Sequence, residues 1–218
     1  MKLLLTSGGI TDKAIARALV GLAGKPASKI KVAFVPTAAN TEWGDKGWLI
    51  NDLHNLKKMG SRVDIVDISA LPKKIWLPRL KKADVLFFGG GNSFHLIHWM
   101  RKSGLAKILP KLLKSRVYAG ISAGSMVATK DLKLSQSKKL YYEEIGQYKD
   151  ERGLGFVNCY IRPHLNSSYF TKVRAKLLKK LAKKISEPIY ALDDKTALKI
   201  DGKKVQVVGP GKYLVLNA

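Results

Sequence analysis

Arg116-Val-Tyr-Ala-Gly-Ile-Ser122-Ala-Gly-Ser-Met126 is a β-rich, apolar run that enters Gly120-Ile121-Ser122-Ala123-Gly124 and leaves as the apolar start of a helix. Strand, sharp turn and helix in that order form the setting of a G-x-S-x-G nucleophile elbow. The flanking glycines permit a tight, strained turn that lifts the serine above a sheet. The helix that follows aims N–H groups and its positive end at an oxyanion. Five residues of this pattern also occur by chance in small-residue turns, so the reading needs support from the rest of the chain.

Outward from the elbow, short apolar and β-branched runs alternate with segments of helical period, the pattern of an α/β chain with a mostly parallel sheet covered on both faces. Strands are expected at Lys2–Thr6, Lys31–Pro36, Arg62–Ile68, Asp84–Phe88 and Arg116–Ile121, each ending in residues that let the chain turn. Those ends are where ligands bind in such sheets. Helices are expected at Asp12–Leu22, at Gly44–Met59 with Trp48, Leu49, Leu53, Leu56 and Met59 inward, at Asn92–Lys102 and Leu105–Lys114, and at Ser167–Ile185. Trp48 is on this reading a core residue. The last stretch reads as strands Pro188–Leu192, Thr196–Ile200, Lys204–Val208 and Tyr213–Asn217, with Asp201-Gly202 as a hairpin turn.

A second glycine cluster, Phe87-Phe88-Gly89-Gly90-Gly91-Asn92-Ser93-Phe94, again joins an apolar strand to a helix and belongs at the same sheet edge as the elbow. An acyl-transfer site needs a second N–H besides that of the residue after the nucleophile, and a glycine loop brings one close with no Cβ in the way. Gly91 and Ala123 are the expected oxyanion pair. Neither G-x-G-x-x-G nor G-x-x-x-x-G-K-[ST] is present, which argues against nucleotide binding. A serine nucleophile needs a base, and the chain has four histidines: His54, His95, His98 and His164. His54 lies on an amphipathic helix, and His95 and His98 lie one turn apart on the helix after the glycine loop with no carboxylate or cysteine nearby. His164 directly follows an expected strand, Phe156–Ile161, and is the best base.

Composition narrows the class. The 218 residues, 46% of them hydrophobic, suffice for one domain over 1–218 with its own core. No apolar run reaches the roughly 18 residues of a membrane span, and the start turns polar after three leucines, so a soluble cytoplasmic chain with no membrane partner is expected. A single cysteine, Cys159, excludes a disulfide framework within the chain and a Cys-based zinc site. The net charge of +24, from 40 Lys+Arg against 16 Asp+Glu, raises a nucleic-acid binder as a rival. The basic residues are instead dispersed, mostly as lysines on polar helix faces, with no aromatic-interleaved motif, so a solvated basic surface without specific nucleic-acid binding is expected.

Gly-Gly-Gly-Asn, Gly-Ile-Ser-Ala-Gly-Ser and Pro-His-Leu-Asn, in that order, resemble the S51 serine peptidases, the family that contains aspartyl dipeptidase and cyanophycinase. The late Ala191-Leu-Asp-Asp-Lys-Thr-Ala-Leu-Lys-Ile200 with its following hairpin is similar to the family's C-terminal part. The resemblance implies a three-layer, Rossmann-like sandwich of the class I glutamine amidotransferase type. It also implies a Ser–His–acid triad acting on small peptides, with no metal or organic cofactor. Ser122 matches the nucleophile and His164 the base. An acid is expected between them in chain order, and the family spacing favours Leu140-Tyr-Tyr-Glu143-Glu144. On a strand those two carboxylates point to opposite faces, so one alone can serve; Glu143 is preferred and Glu144 is the alternative. An acidic substrate would need an arginine, for which Arg162 and Arg174 are candidates, and Asn92 is a further substrate-binding candidate. The family's arginine-bearing motif after the histidine is not reproduced. The expected function is hydrolysis of short peptides, dipeptidase-like and open to N-terminal aspartate, by a monomer or homodimer. An esterase or amidase using the same site, or a non-enzymatic nucleic-acid binder, is the alternative.

Overall fold

The computed structural model describes residues 1–134, 139–141, 148 and 150–218. In chain order the elements are β1 (Lys2–Thr6), α1 (Lys13–Ala23), β2 (Lys31–Val35), α2 (Gly47–Lys58), β3 (Arg62–Ile65), α3 (Lys73–Lys82), β4 (Val85–Phe88), α4 (Ser93–Lys102), α5 (Leu105–Leu112), β5 (Val117–Ile121) and α6 (Ala123–Met126). They continue with β6 (Tyr160–Arg162), α7 (Ala175–Ala182), β7 (Ile189–Leu192), β8 (Ala197–Asp201), β9 (Lys204–Val208) and β10 (Tyr213–Leu216). Asp12 and Asn92 stand just outside α1 and α4, and each accepts a backbone N–H at the helix start through its side chain.

A seven-stranded sheet runs in the order β3-β2-β4-β5-β1-β8-β9. Its first five strands are parallel, and the β8–β9 hairpin pairs antiparallel to β1 at the other end. Strand pleating sends alternate side chains to opposite faces, and the sequence fills both. Leu3, Leu5, Val35, Leu86, Phe88 and Tyr118 enter a core shared with α3 to α6. Leu4, Val32, Phe34, Val85, Phe87 and Ala119 enter a second core under α1 and α2. This is why the parallel strands read as unbroken apolar runs, and it bears out the three-layer α/β sandwich. A smaller sheet, β10-β7-β6, packs with α7 around a third core that includes Leu178, Ile189 and Ala191.

Three expectations are corrected. The helix foreseen over Ser167–Ile185 is helical only at Ala175–Ala182. Before it, residues 166–174 form a loop in which Asn166 has φ 62 and donates its N–H to Val173, a tertiary arrangement that local propensity does not encode. The strand foreseen at Phe156–Ile161 is confined to Tyr160–Arg162, because Leu154, Gly155 and Phe156 donate their N–H groups to the carbonyls of Val127, Thr129 and Ala128 just past α6. Trp48 is not a core residue. It is 38% exposed, whereas Leu49, Leu53, Leu56 and Met59 on the adjoining stripe of α2 pack into the second core.

Candidate active site

The elbow forms between β5 and α6, and its geometry explains its composition. Ser122 has φ 46 and ψ −104, a strained conformation of the kind that costs about 1–3 kcal/mol and persists only where the surroundings hold it. Here the Ser122 N–H and the Ser125 hydroxyl both donate to the carbonyl of Thr6 on β1, at 3.1 and 2.8 Å, and the Tyr118 hydroxyl donates to the carbonyl of Gly124 at 2.6 Å. A Cβ on Gly124 would lie 2.1 Å from the Phe88 carbonyl oxygen, and one on Gly120 would lie 2.4 Å from the Gly124 carbonyl carbon. Both glycines are therefore steric requirements of the turn.

Ser122 opens onto a cavity of about 910 Å³ at the strand ends. His164 has its Nε2 2.8 Å from Ser122 Oγ and its Nδ1 2.6 Å from Asp194 Oδ1. Burial raises the Asp194 pKa, but the His164 hydrogen bond, the positive charge the ring carries whenever it is protonated, and the Ser7 hydroxyl outweigh it and hold the carboxyl below its usual value. An ionised carboxylate only accepts, so the ring proton belongs on Nδ1 and Nε2 is left to accept from the serine hydroxyl. Ser7 ties the pair to the end of β1. Its hydroxyl donates to Asp194 Oδ1 at 2.7 Å and accepts the His164 N–H at 2.8 Å. The Phe170 ring lies flat on the imidazole, centroids 4.1 Å apart and planes 8° apart.

Of the residues singled out from sequence, Ser122, His164 and Gly91 meet at this cavity. Ala123, buried, begins α6 directly after the serine. Neither the Gly91 nor the Ala123 N–H has an acceptor among the described residues. Gly91 stands at φ 118, and a Cβ there would meet the Ala38 carbonyl oxygen at 2.3 Å. Glu143 and Glu144 lie outside the described residues. The carboxylate on His164 is Asp194, which follows the histidine in the chain, so the expectation of an acid between serine and histidine is corrected. Asp194 sits on the β7–β8 connection, which the order of strands carries back beside β1. The signal for it was Asp193-Asp194 at a strand end, visible in the sequence but set aside by the assumed chain order.

The substrate-binding candidates divide. Arg162 reaches the cavity but is 1% exposed. Arg174 does not line it. Its guanidinium donates to the carbonyls of Ser167, Phe170 and Val173 and holds the loop that carries Phe170 onto the imidazole. Asn92 is buried, and its side-chain oxygen accepts the His95 N–H as the α4 cap. Of the other histidines, His54 is exposed on α2, while His98 stacks on Tyr148, His95 lies tilted to the same ring, and neither lines the cavity. Sequence reading missed the cavity face of α2. Trp48, Asn51, Asp52 and Asn55, spaced i, i+3, i+4 and i+7, all line the cavity, a helical stripe of its own.

Comparison with known proteins agrees with this architecture. An uncharacterised peptidase of Pasteurella multocida is 22% identical over 186 residues, covering 83% of this chain and 86% of that protein. A peptidase E of a Nostoc species is 26% identical over 189 residues, covering 82% of this chain and 72% of that protein. A crystal structure of a candidate peptidase E from Listeria monocytogenes superposes with a TM-score of 0.73 at 23% identity, covering 94% of this chain and 96% of that one, and shares the class I glutamine amidotransferase-like fold. No helix among the described residues is long and apolar enough to cross a membrane. The profile of peptidase family S51 matches residues 3–208, and the chain therefore belongs to that family of serine peptidases.

Proposed function

We propose that the protein hydrolyses short peptides through an acyl-enzyme formed on Ser122. The observation that carries this reading is the continuous line Ser122 Oγ, His164 Nε2, His164 Nδ1, Asp194 Oδ1 at 2.8 and 2.6 Å. As the Ser122 Oγ–C bond forms on the scissile carbonyl, the hydroxyl proton passes to His164 Nε2, and Asp194 stabilises the imidazolium. The N–H groups of Gly91 and Ala123 are the donors for the oxyanion. Collapse breaks the C–N bond, and His164 returns the proton to the departing amine. Water then attacks the ester with His164 again as base, releasing the acid and restoring the serine.

A cavity of about 910 Å³ suits a peptide of a few residues. The names of relatives such as the Nostoc peptidase E agree with a peptidase role. A preference for N-terminal aspartate finds less support, because Arg174 is committed to its loop and Arg162 is buried. The test is covalent labelling with a serine-reactive phosphonate read by mass spectrometry, together with turnover of a short-peptide panel. Label on Ser122, lost with activity in Ser122→Ala, is the expected result. Label on another serine, or a fully active Ser122→Ala, would refute the assignment.

A further inference from the structure

On a chain of 40 Lys+Arg and 16 Asp+Glu, the described residues around the active-site cavity show the opposite balance. Glu42, Asp45, Asp52 and Asp194 line it, and the one lysine or arginine that does so is the buried Arg162. Three of these carboxyl groups have local neighbours to answer them. Asp194 holds His164, Asp45 accepts the Gly47 N–H at 3.0 Å, and Glu42 lies beside Lys46. Asp52 differs. It is 8% exposed and lines the cavity from α2, and its carboxyl has no hydrogen-bond or ion-pair partner among the described residues.

A buried carboxyl without a partner is costly, and the cost falls away when a cation comes to meet it. The surroundings of Asp52 fit an organic cation. Asn51 and Asn55 flank it on the cavity stripe of α2, Trp48 stands one turn before it on the same helix, and Trp43 also lines the cavity; indole rings attract positive groups. Behind it the β1 loop closes in at Gly9, where φ is 84 and a Cβ would stand 3.0 Å from Asp52 Oδ1. Glycine at that position leaves the carboxyl its place. No group of three or more side chains able to hold a metal ion occurs among the described residues.

We infer that Asp52 is a specificity residue that receives a cationic group of the substrate, so that the enzyme prefers short peptides bearing a free ammonium terminus or a basic side chain. The inference rests on the peptidase reading for what the cavity holds, and it sets the charge of the substrate opposite to that of an aspartyl peptide. A site built around one carboxylate discriminates sharply, because a neutral analogue leaves the buried group unpaired. Burial pushes the Asp52 carboxyl up to about 8, so it is largely protonated until a cation arrives.

The test separates binding from turnover by using the full chain with Ser122→Ala, titrated calorimetrically with four probes: alaninamide, lysinamide, N-acetyl-lysinamide and N-acetyl-norleucinamide. The expected result is that at least one cationic probe binds about 10-fold or more tighter than the neutral N-acetyl-norleucinamide, and that Asp52→Asn in the same background erases the difference. Preference for alaninamide identifies the ammonium terminus as the source of the cation, and preference for N-acetyl-lysinamide identifies the side chain. Equal binding of neutral and cationic probes would overturn the proposal. So would a preference that survives Asp52→Asn but disappears in Glu42→Gln. Binding is read without hydrolysis, so failure of wild-type protein to cleave any peptide would count against the peptidase reading alone. Circular dichroism on each variant confirms that the comparison is between folded proteins.

Discussion

Asp52→Asn should stabilise the protein against unfolding more at high pH than at low pH, because the buried carboxyl opposes the fold only when solution conditions would ionise it. Its pKa is raised by burial from 3.8 to about 8 in the folded chain. Between those values the folded state holds a proton that the unfolded state has released, so the stability of the wild type falls as pH rises and levels off above the folded value. At about 1.36 kcal/mol per unit, the part of that slope between about pH 5 and about pH 8 amounts to a ceiling of about 3–4 kcal/mol. Relaxation and water entry around the carboxyl reduce it, and about 1 kcal/mol or more is expected to remain. Asparagine lacks the slope. Its own unpaired amide has a cost that is the same at every pH and cancels in the comparison. Urea unfolding of both proteins at the two pH values, with m-values checked for constancy, measures the difference directly. If the gap between variant and wild type does not widen from low to high pH, Asp52 is not the buried, unpaired acid described here. A functional group retained at a cost to the fold is also what a substrate-receiving role for Asp52 leads one to expect.

Asp194→Asn should lower kcat for a short-peptide substrate by about 10⁴-fold, by removing the carboxylate that fixes the His164 tautomer, while Glu143→Gln leaves kcat nearly unchanged; steady-state kinetics that rank them the other way would refute the assignment. Gly124→Ala should cost about 1–3 kcal/mol or prevent folding, since its Cβ would sit 2.1 Å from the Phe88 carbonyl oxygen, and denaturant unfolding would show it. Phe170→Ala should reduce kcat while leaving phosphonate reaction at Ser122 detectable, because the ring 4.1 Å above the imidazole orients the base without touching the nucleophile. Oligonucleotide binding followed by fluorescence anisotropy should be weak, indifferent to sequence and abolished near physiological salt, as counterion release without base contacts requires.

The sequence by itself determined the layered α/β plan, because unbroken apolar strands such as Val85–Phe88 and amphipathic helices such as Lys13–Ala23 carry their burial pattern locally. It also marked Ser122 and the glycine loop, since a strained turn and a close backbone approach demand glycines at fixed spacing. His164 came within reach by elimination among four histidines. Tertiary structure alone decided the rest. Asp194 meets His164 because the connection after β7 returns beside β1, a pairing across 30 residues that chain order did not foretell. Phe170 covers the imidazole because Arg174 ties its loop to backbone carbonyls, against the helical period of that segment. Trp48 and Asp52 face the cavity because α2 presents two adjoining stripes, one apolar toward the sheet and one toward the strand ends. Spacing along a chain identifies which residues share a face, but the surface each face meets is set only by the packing of distant elements.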